Sequence, residues 1–134
     1  KPALYRLAED IDQMESMGFI HGDIVYKNTL WDGHTLWLVD LEPDLRQNRT
    51  GQPCWMVTPP WVAHGDLVRD QITPMTDRIG FAALCARLQH GLPDSMDYRA
   101  LYKQRYAEDC FLPWGISDAR VANTKFVDLV GNFP

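Results

Sequence analysis

The chain has 134 residues, 46% of them apolar and 11% aromatic, which suits one domain with its own core and excludes a disordered segment. A formal net charge of −5 and a pI near 5.2 exclude a general binder of nucleic acid or anionic membrane. No apolar run reaches the length of a membrane span, and Cys54, Cys85 and Cys110 show no C-x-x-C or Cys/His metal spacing, so reduced thiols in a cytoplasmic setting are expected.

Pro2 to Met17 reads as an amphipathic helix, with Leu4, Leu7, Ala8, Ile11 and Met14 as its apolar stripe. Pro2 suits the first turn and Gly18 the C-terminal cap. Phe19 and Ile20 lead into a polar turn, His21-Gly22-Asp23. Thr29-Leu30-Trp31, then Asp32-Gly33, then Thr35 to Val39 reads as a β-hairpin, with Trp31 and Trp37 as a cross-strand aromatic pair. Glu42 to Pro60 is a long irregular connection broken by Pro43, Gly51 and Pro53, a kind of loop that is usually functional or mobile.

Asp66 to Gln71 is compatible with a short helix. Thr76 to His90 is a stronger pattern: Thr76 can cap it, its faces are apolar nearly all round, and Gly91 and Pro93 end it, so it belongs inside a core. Ser95 to Glu108 reads as a further helix with Met96, Tyr98, Leu101, Tyr102 and Tyr106 as its apolar set. Ser117 or Asp118 can cap a last helix running to Val130. Most of the five tryptophans are expected in the core.

The chemistry-bearing residues concentrate between His21 and Glu42, in HGDIVYKNTLWDGHTLWLVDLE. Asn28 follows Asp23 by five residues and Asp40 follows Asn28 by twelve. A hairpin between Asn28 and Asp40 brings its two ends together, with Asp23 on the loop before them. Asn and Asp oxygens are ligands that Mg²⁺ takes beside substrate phosphates. Singly, each has an ordinary explanation: an Asp in a turn commonly bonds local amides, and an Asn at the start of a strand is commonly solvated.

This pattern resembles the protein-kinase-like superfamily, whose catalytic loop reads H-R-D-x-x-x-x-N and whose metal motif reads D-F-G. Gly22 stands in place of the Arg, and Asp40-Leu41-Glu42 in place of D-F-G. Thr58-Pro59-Pro60-Trp61-Val62-Ala63 resembles T-P-x-Y-x-A-P-E, which closes an activation segment. Thr76-Asp77-Arg78-Ile79-Gly80 resembles the start of that family's buried central helix. The resemblance spans residues 1–92.

It implies a mainly α domain with a small β-hairpin, equivalent to the C-terminal lobe of a protein-kinase-like fold. Residues 1–18 would be a helix, 19–42 the catalytic loop and metal hairpin, 43–66 the activation-segment-like loop, 76–91 the buried central helix, and 92–134 a helical remainder. It further implies ATP and Mg²⁺ as cofactors and a protein Ser or Thr as acceptor. Asp23 would be the catalytic carboxylate, and Asn28 and Asp40 the nucleotide-bound metal's ligands. Lys27 would reach the transferred phosphate, an equally ordinary place for a solvated lysine. His21, Thr58 and Asp77 would support the loop. Glu42 would hold metal or stiffen its loop. Gly65 falls where the family carries a Glu paired with a distant Arg, which removes that ion pair. The missing Arg of the catalytic loop argues against activation by loop phosphorylation. No Gly-rich loop and no strand lysine precede the motif, so a small N-terminal lobe is expected upstream in a longer parent, and this chain alone is expected not to transfer phosphate. The alternatives are a non-catalytic, pseudokinase-like binding module and a small-molecule kinase of the aminoglycoside phosphotransferase type, whose loop also reads HGD.

Overall fold

The computed structural model describes residues 2–39, 61–93 and 96–131. It is mainly helical with one small antiparallel sheet. Helix α1 (Pro2–Ser16) buries Leu4, Leu7, Ala8 and Ile11 along one stripe. Gly18, at φ +83°, ends it: its N–H donates to the Glu15 carbonyl at 2.9 Å and the Phe19 N–H to the Met14 carbonyl at 2.9 Å. This doubly bonded left-handed cap satisfies carbonyls that the helix leaves open.

Strands β1 (Thr29–Trp31) and β2 (Leu36–Leu38) pair antiparallel, with Leu30 opposite Trp37 and Trp31 opposite Leu36. The expected Trp31–Trp37 pair is therefore corrected. Side chains alternate along a strand, so the two rings lie on opposite faces of the ribbon. Both are solvent-facing, at 59% and 55% exposed, and among the described tryptophans only Trp61 is buried. The turn is closed by Asp32, whose carboxylate accepts from the His34 and Thr35 amides at 2.8 and 2.6 Å and from the Trp37 indole at 2.9 Å.

Helix α2 (His64–Arg69) starts two residues earlier than its sequence pattern suggests. Helix α3 (Pro74–His90) runs through the middle of the core, with Ile79 to Ala86 buried without interruption. Its cap is Thr73, not Thr76. Pro74 presets the first helical residue and starts the helix early. Thr73 accepts from the Met75 amide, and Thr76 is the reciprocal partner, accepting from the Thr73 amide. Both threonine hydroxyls donate to buried Asp66. Burial raises the Asp66 pKa against the lowering effect of these bonds.

Helix α4 (Tyr98–Ala107) is capped by Asp97 and exposes the tyrosines expected to be its apolar face. Its buried member is Arg105, at 0% exposed. The expected last helix is broken into α5 (Asp118–Val121), capped by Ser117, and α6 (Phe126–Leu129). Thr124 interrupts it by turning its hydroxyl back onto the Arg120 carbonyl at 3.1 Å, a habit that disfavours continued helix. Helix α6 packs on α1 and α3, and Arg78 of α3 pairs through both its terminal nitrogens with Glu15 of α1 at 2.8 and 2.9 Å. No helix among the described residues is long and apolar enough to cross a membrane.

Arg105 carries its own set of acceptors inside the fold. It donates to Asp118 at 2.7 Å, to Asp109 at 2.8 Å, and to the carbonyls of Val62 and Cys110 at 2.8 and 2.7 Å. Asp118 in turn accepts from the His64 and Gly65 amides, both at 3.0 Å. The segment at Gly65 is thus held by an ion pair whose acid, Asp118, comes from α5.

Two outcomes follow from these networks. Asp118→Ala leaves Arg105 with Asp109 as its one carboxylate among the described residues and strips the His64 and Gly65 amides of their acceptor, so it is expected to lower stability by about 1–3 kcal/mol, measured by urea unfolding; a change within about 0.5 kcal/mol contradicts the network's role. The Asp32 carboxyl is held down from 3.8 to about 2, first by the Trp37 indole bond and then by the Thr35 and His34 amides. Its contribution is fully present above the unfolded value and is lost as pH falls through about 2. The Trp37 indole proton signal should therefore titrate near that pH, and should not do so in Asp32→Asn.

Candidate functional site

The loop from His21 to Asn28 is strung along α3. At one end the buried Asp77 carboxylate accepts from the His21 and Gly22 amides, both at 2.9 Å. Asp77 sits in the first turn of α3, where negative charge also meets the positive end of the helix dipole. Gly22 takes φ +86°, a conformation relaxed only for glycine.

The middle of the loop lies directly on the helix at Gly80. A Cβ there would sit 2.6 Å from the Ile24 carbonyl oxygen. An isolated glycine inside an apolar helix was the only sequence signal of this close approach, and it is a weak one.

His21 is buried and links the loop to the hairpin. Its Nδ1 accepts from the Asp23 amide at 3.1 Å, so the proton resides on Nε2, which donates to the Val39 carbonyl at 3.0 Å. Asn28 closes the loop. Its amide nitrogen donates to the Asp23 carbonyl at 2.9 Å and to the Asp23 carboxylate at 3.0 Å. Both partners are acceptors, which fixes the amide orientation and leaves Oδ1 without a hydrogen bond among the described residues. The Asn28 carbonyl receives the Val39 amide at 2.8 Å.

The structure therefore brings together Asp23, Asn28, His21 and Asp77. It also carries the chain, through Val39, to the residue before Asp40. Asp40, Glu42 and Thr58 lie outside the described residues. Lys27 is exposed in the 3-10 turn Tyr26–Asn28 and forms no ion pair among the described residues. Among the described residues no group of three or more His, Cys, Asp or Glu side chains gathers as a metal site. The donor set within reach is one carboxylate and one amide oxygen, Asp23 and Asn28. That set fits a hard cation which keeps most of its oxygen ligands from water and phosphate.

Of the remaining nucleophiles, burial pushes the Cys85 thiol up to about 12, so it is inert core. Burial also raises Cys110. The chain matches no protein-family model and no curated protein.

Gly80→Ala separates the two roles of that residue. In an unobstructed helix the change gains about 1 kcal/mol. Here the new methyl meets backbone, and a loss of about 2 kcal/mol is expected in urea unfolding, with the amide signals of Ile24 and its neighbours displaced. A stabilised variant with an unmoved loop contradicts the contact.

Proposed function

We propose that this chain is the acceptor-side, C-terminal-lobe part of an ATP- and Mg²⁺-dependent phosphotransferase acting on a protein Ser or Thr. The observation that carries the reading is the Asp23–Asn28 pair: Asn28 spends its nitrogen on Asp23, and among the described residues its oxygen has no donor beside it. In phosphoryl transfer the protein aligns the acceptor, takes up its proton and offsets phosphate charge. Asp23 is the group that meets the acceptor hydroxyl and receives its proton as the oxygen bonds phosphorus. Asn28 Oδ1 and Asp40 are the oxygens that would hold the metal, which supplies charge neutralisation across the phosphates when bound. Lys27, exposed on the same loop, would meet the transferred group. Asp77 and His21 keep the loop backbone in register and touch no reactant. Thr58 and an upstream small lobe belong to the same reading.

A second reading is supported by Gly22. Its φ of +86° suits the glycine of HGD and not the Arg of the protein-kinase loop, which favours a small-molecule acceptor. The two share the phosphoryl chemistry and differ only in the acceptor.

In the full-length parent protein, Asp23→Ala should lower turnover by about 100-fold or more with nucleotide affinity kept, and Asp40→Ala should abolish transfer. In the chain as it stands, Mn²⁺ with ADP should broaden the amide signals of Asn28 and Val39, and Asn28→Ala should remove the effect. Parental turnover in both carboxylate variants, with normal melting, overturns the reading.

A further inference from the structure

Among the described residues the sheet has two strands, so each keeps a free edge. The Val39 amide donates to the Asn28 carbonyl at 2.8 Å and the Asp32 amide to the Thr35 carbonyl at 3.3 Å. Bonded and non-bonded pairs alternate along an antiparallel ribbon, so Thr35, Trp37 and Val39 turn their backbone groups toward β1. Leu36 and Leu38 turn theirs away from it, and these N–H and C=O groups make no backbone hydrogen bond among the described residues. Strand β2 carries no Lys or Pro, residues that commonly block such an edge.

A groove runs along this edge. It is lined by four consecutive residues, Thr35 to Leu38, and by one flank of α1 from Arg6 to Met14. Side chains alternate along a strand, so a groove that touches four in succession follows the edge of β2 and not one of its faces. Its volume is about 250 Å³, and an apolar cavity of about 150 Å³ already holds a benzene ring. Leu7 and Ile11 are buried and make its floor, whereas Arg6 and Asp10 are exposed on its rim. These two charges lie one helical turn apart and form no ion pair among the described residues.

We infer that this groove takes an extended peptide as a third strand beside β2, with apolar residues at alternate positions and an acid and a base between them. Main-chain hydrogen bonds to Leu36 and Leu38 supply affinity, and the groove and its rim supply selectivity. The flank from Arg6 to Met14 is about 12 Å long, which an extended segment covers with about four residues. The Leu36 and Leu38 side chains lean on the core, so the added strand turns one face down toward Leu7 and Ile11 and the other up toward solvent. Alternate residues of a strand stand about 6.6 Å apart, and side chains one helical turn apart start about 6 Å from each other. An acid therefore meets Arg6 while a base two residues away meets Asp10. The inference stands on the edge and the groove and does not use the phosphotransfer reading.

The probes are two end-blocked peptides, Val-Glu-Val-Lys-Val and Val-Lys-Val-Glu-Val, titrated into the chain and followed by amide NMR. The Leu36 and Leu38 amide signals should move most and exchange more slowly with solvent, and that of Trp37, already turned to β1, should move little. One order should bind about fivefold more tightly than the other, and Arg6→Asp combined with Asp10→Arg should reverse the preference. In the preferred peptide, N-methylation of the central Val or of the residue after it should abolish binding in one case and spare it in the other, because alternate amides face β2. Loss with both methylations, or with neither, overturns the added strand, and so do unmoved Leu36 and Leu38 signals with both peptides. Equal affinity for the two orders, or a preference unchanged in the double variant, overturns the charged rim and with it the partner's chemistry. Movement of the same signals on raising protein concentration without peptide assigns the edge to a second copy and overturns the peptide. The methylation and order comparisons use the wild-type chain, so they decide by themselves if the double variant fails to fold.

Discussion

The carboxylate of Asp77 is the constraint on which the site depends. It is buried at the start of the helix that forms the middle of the core, and it holds the amides of His21 and Gly22. An extended loop has no ladder to satisfy its own N–H groups, and buried donors without acceptors cost about 1–3 kcal/mol each. One side chain removes two such deficits. It also ties the loop to the helix at the centre of the core, so Asp23 is held in place through α3. His21 then extends the chain of bonds to Val39, and Asn28 returns it to Asp23. The result is a closed circuit in which each polar group positions the next.

That circuit needs the loop and helix to touch, which is why the helix surface is small where the loop crosses it. Gly80 admits the Ile24 carbonyl, and Asp77 and Arg87 bracket it on either side of the crossing. The helix thus combines three jobs in one continuous apolar run: it fills the core with Ile79, Phe81 and Leu84, receives the loop backbone, and offers a cation at the far end.

Much of this was legible in the sequence, for reasons particular to each element. Helix α1 carried a clean stripe and a glycine stop, and α3 an unbroken apolar run between threonine and glycine. The Asp23, Asn28 and Asp77 spacing drew attention to residues that the fold does bring together. Tertiary contacts set what was missed. Nothing near Arg105 in the chain announces a buried cation, because its acceptors come from Val62, Asp109, Cys110 and Asp118. The tyrosines of α4 looked like a core face and are exposed, since the arginine occupies the inside. The hairpin was legible but its faces were not: the loop runs from Asp32 to Thr35, and that length decides which residue each tryptophan opposes.

The Arg105 network also bears on the order in which the chain becomes fixed. The Val62 carbonyl waits for a donor 43 residues later, and that donor's acid arrives 13 residues later still. During synthesis the bonds of Asp77 to the loop behind it can form as soon as α3 emerges. The His64 and Gly65 amides, by contrast, need Asp118, which lies in α5. The two segments are therefore tied down from different parts of the chain: the His21–Gly22 loop by Asp77, within the first two-thirds of the sequence, and the His64–Gly65 segment by Asp118 of α5.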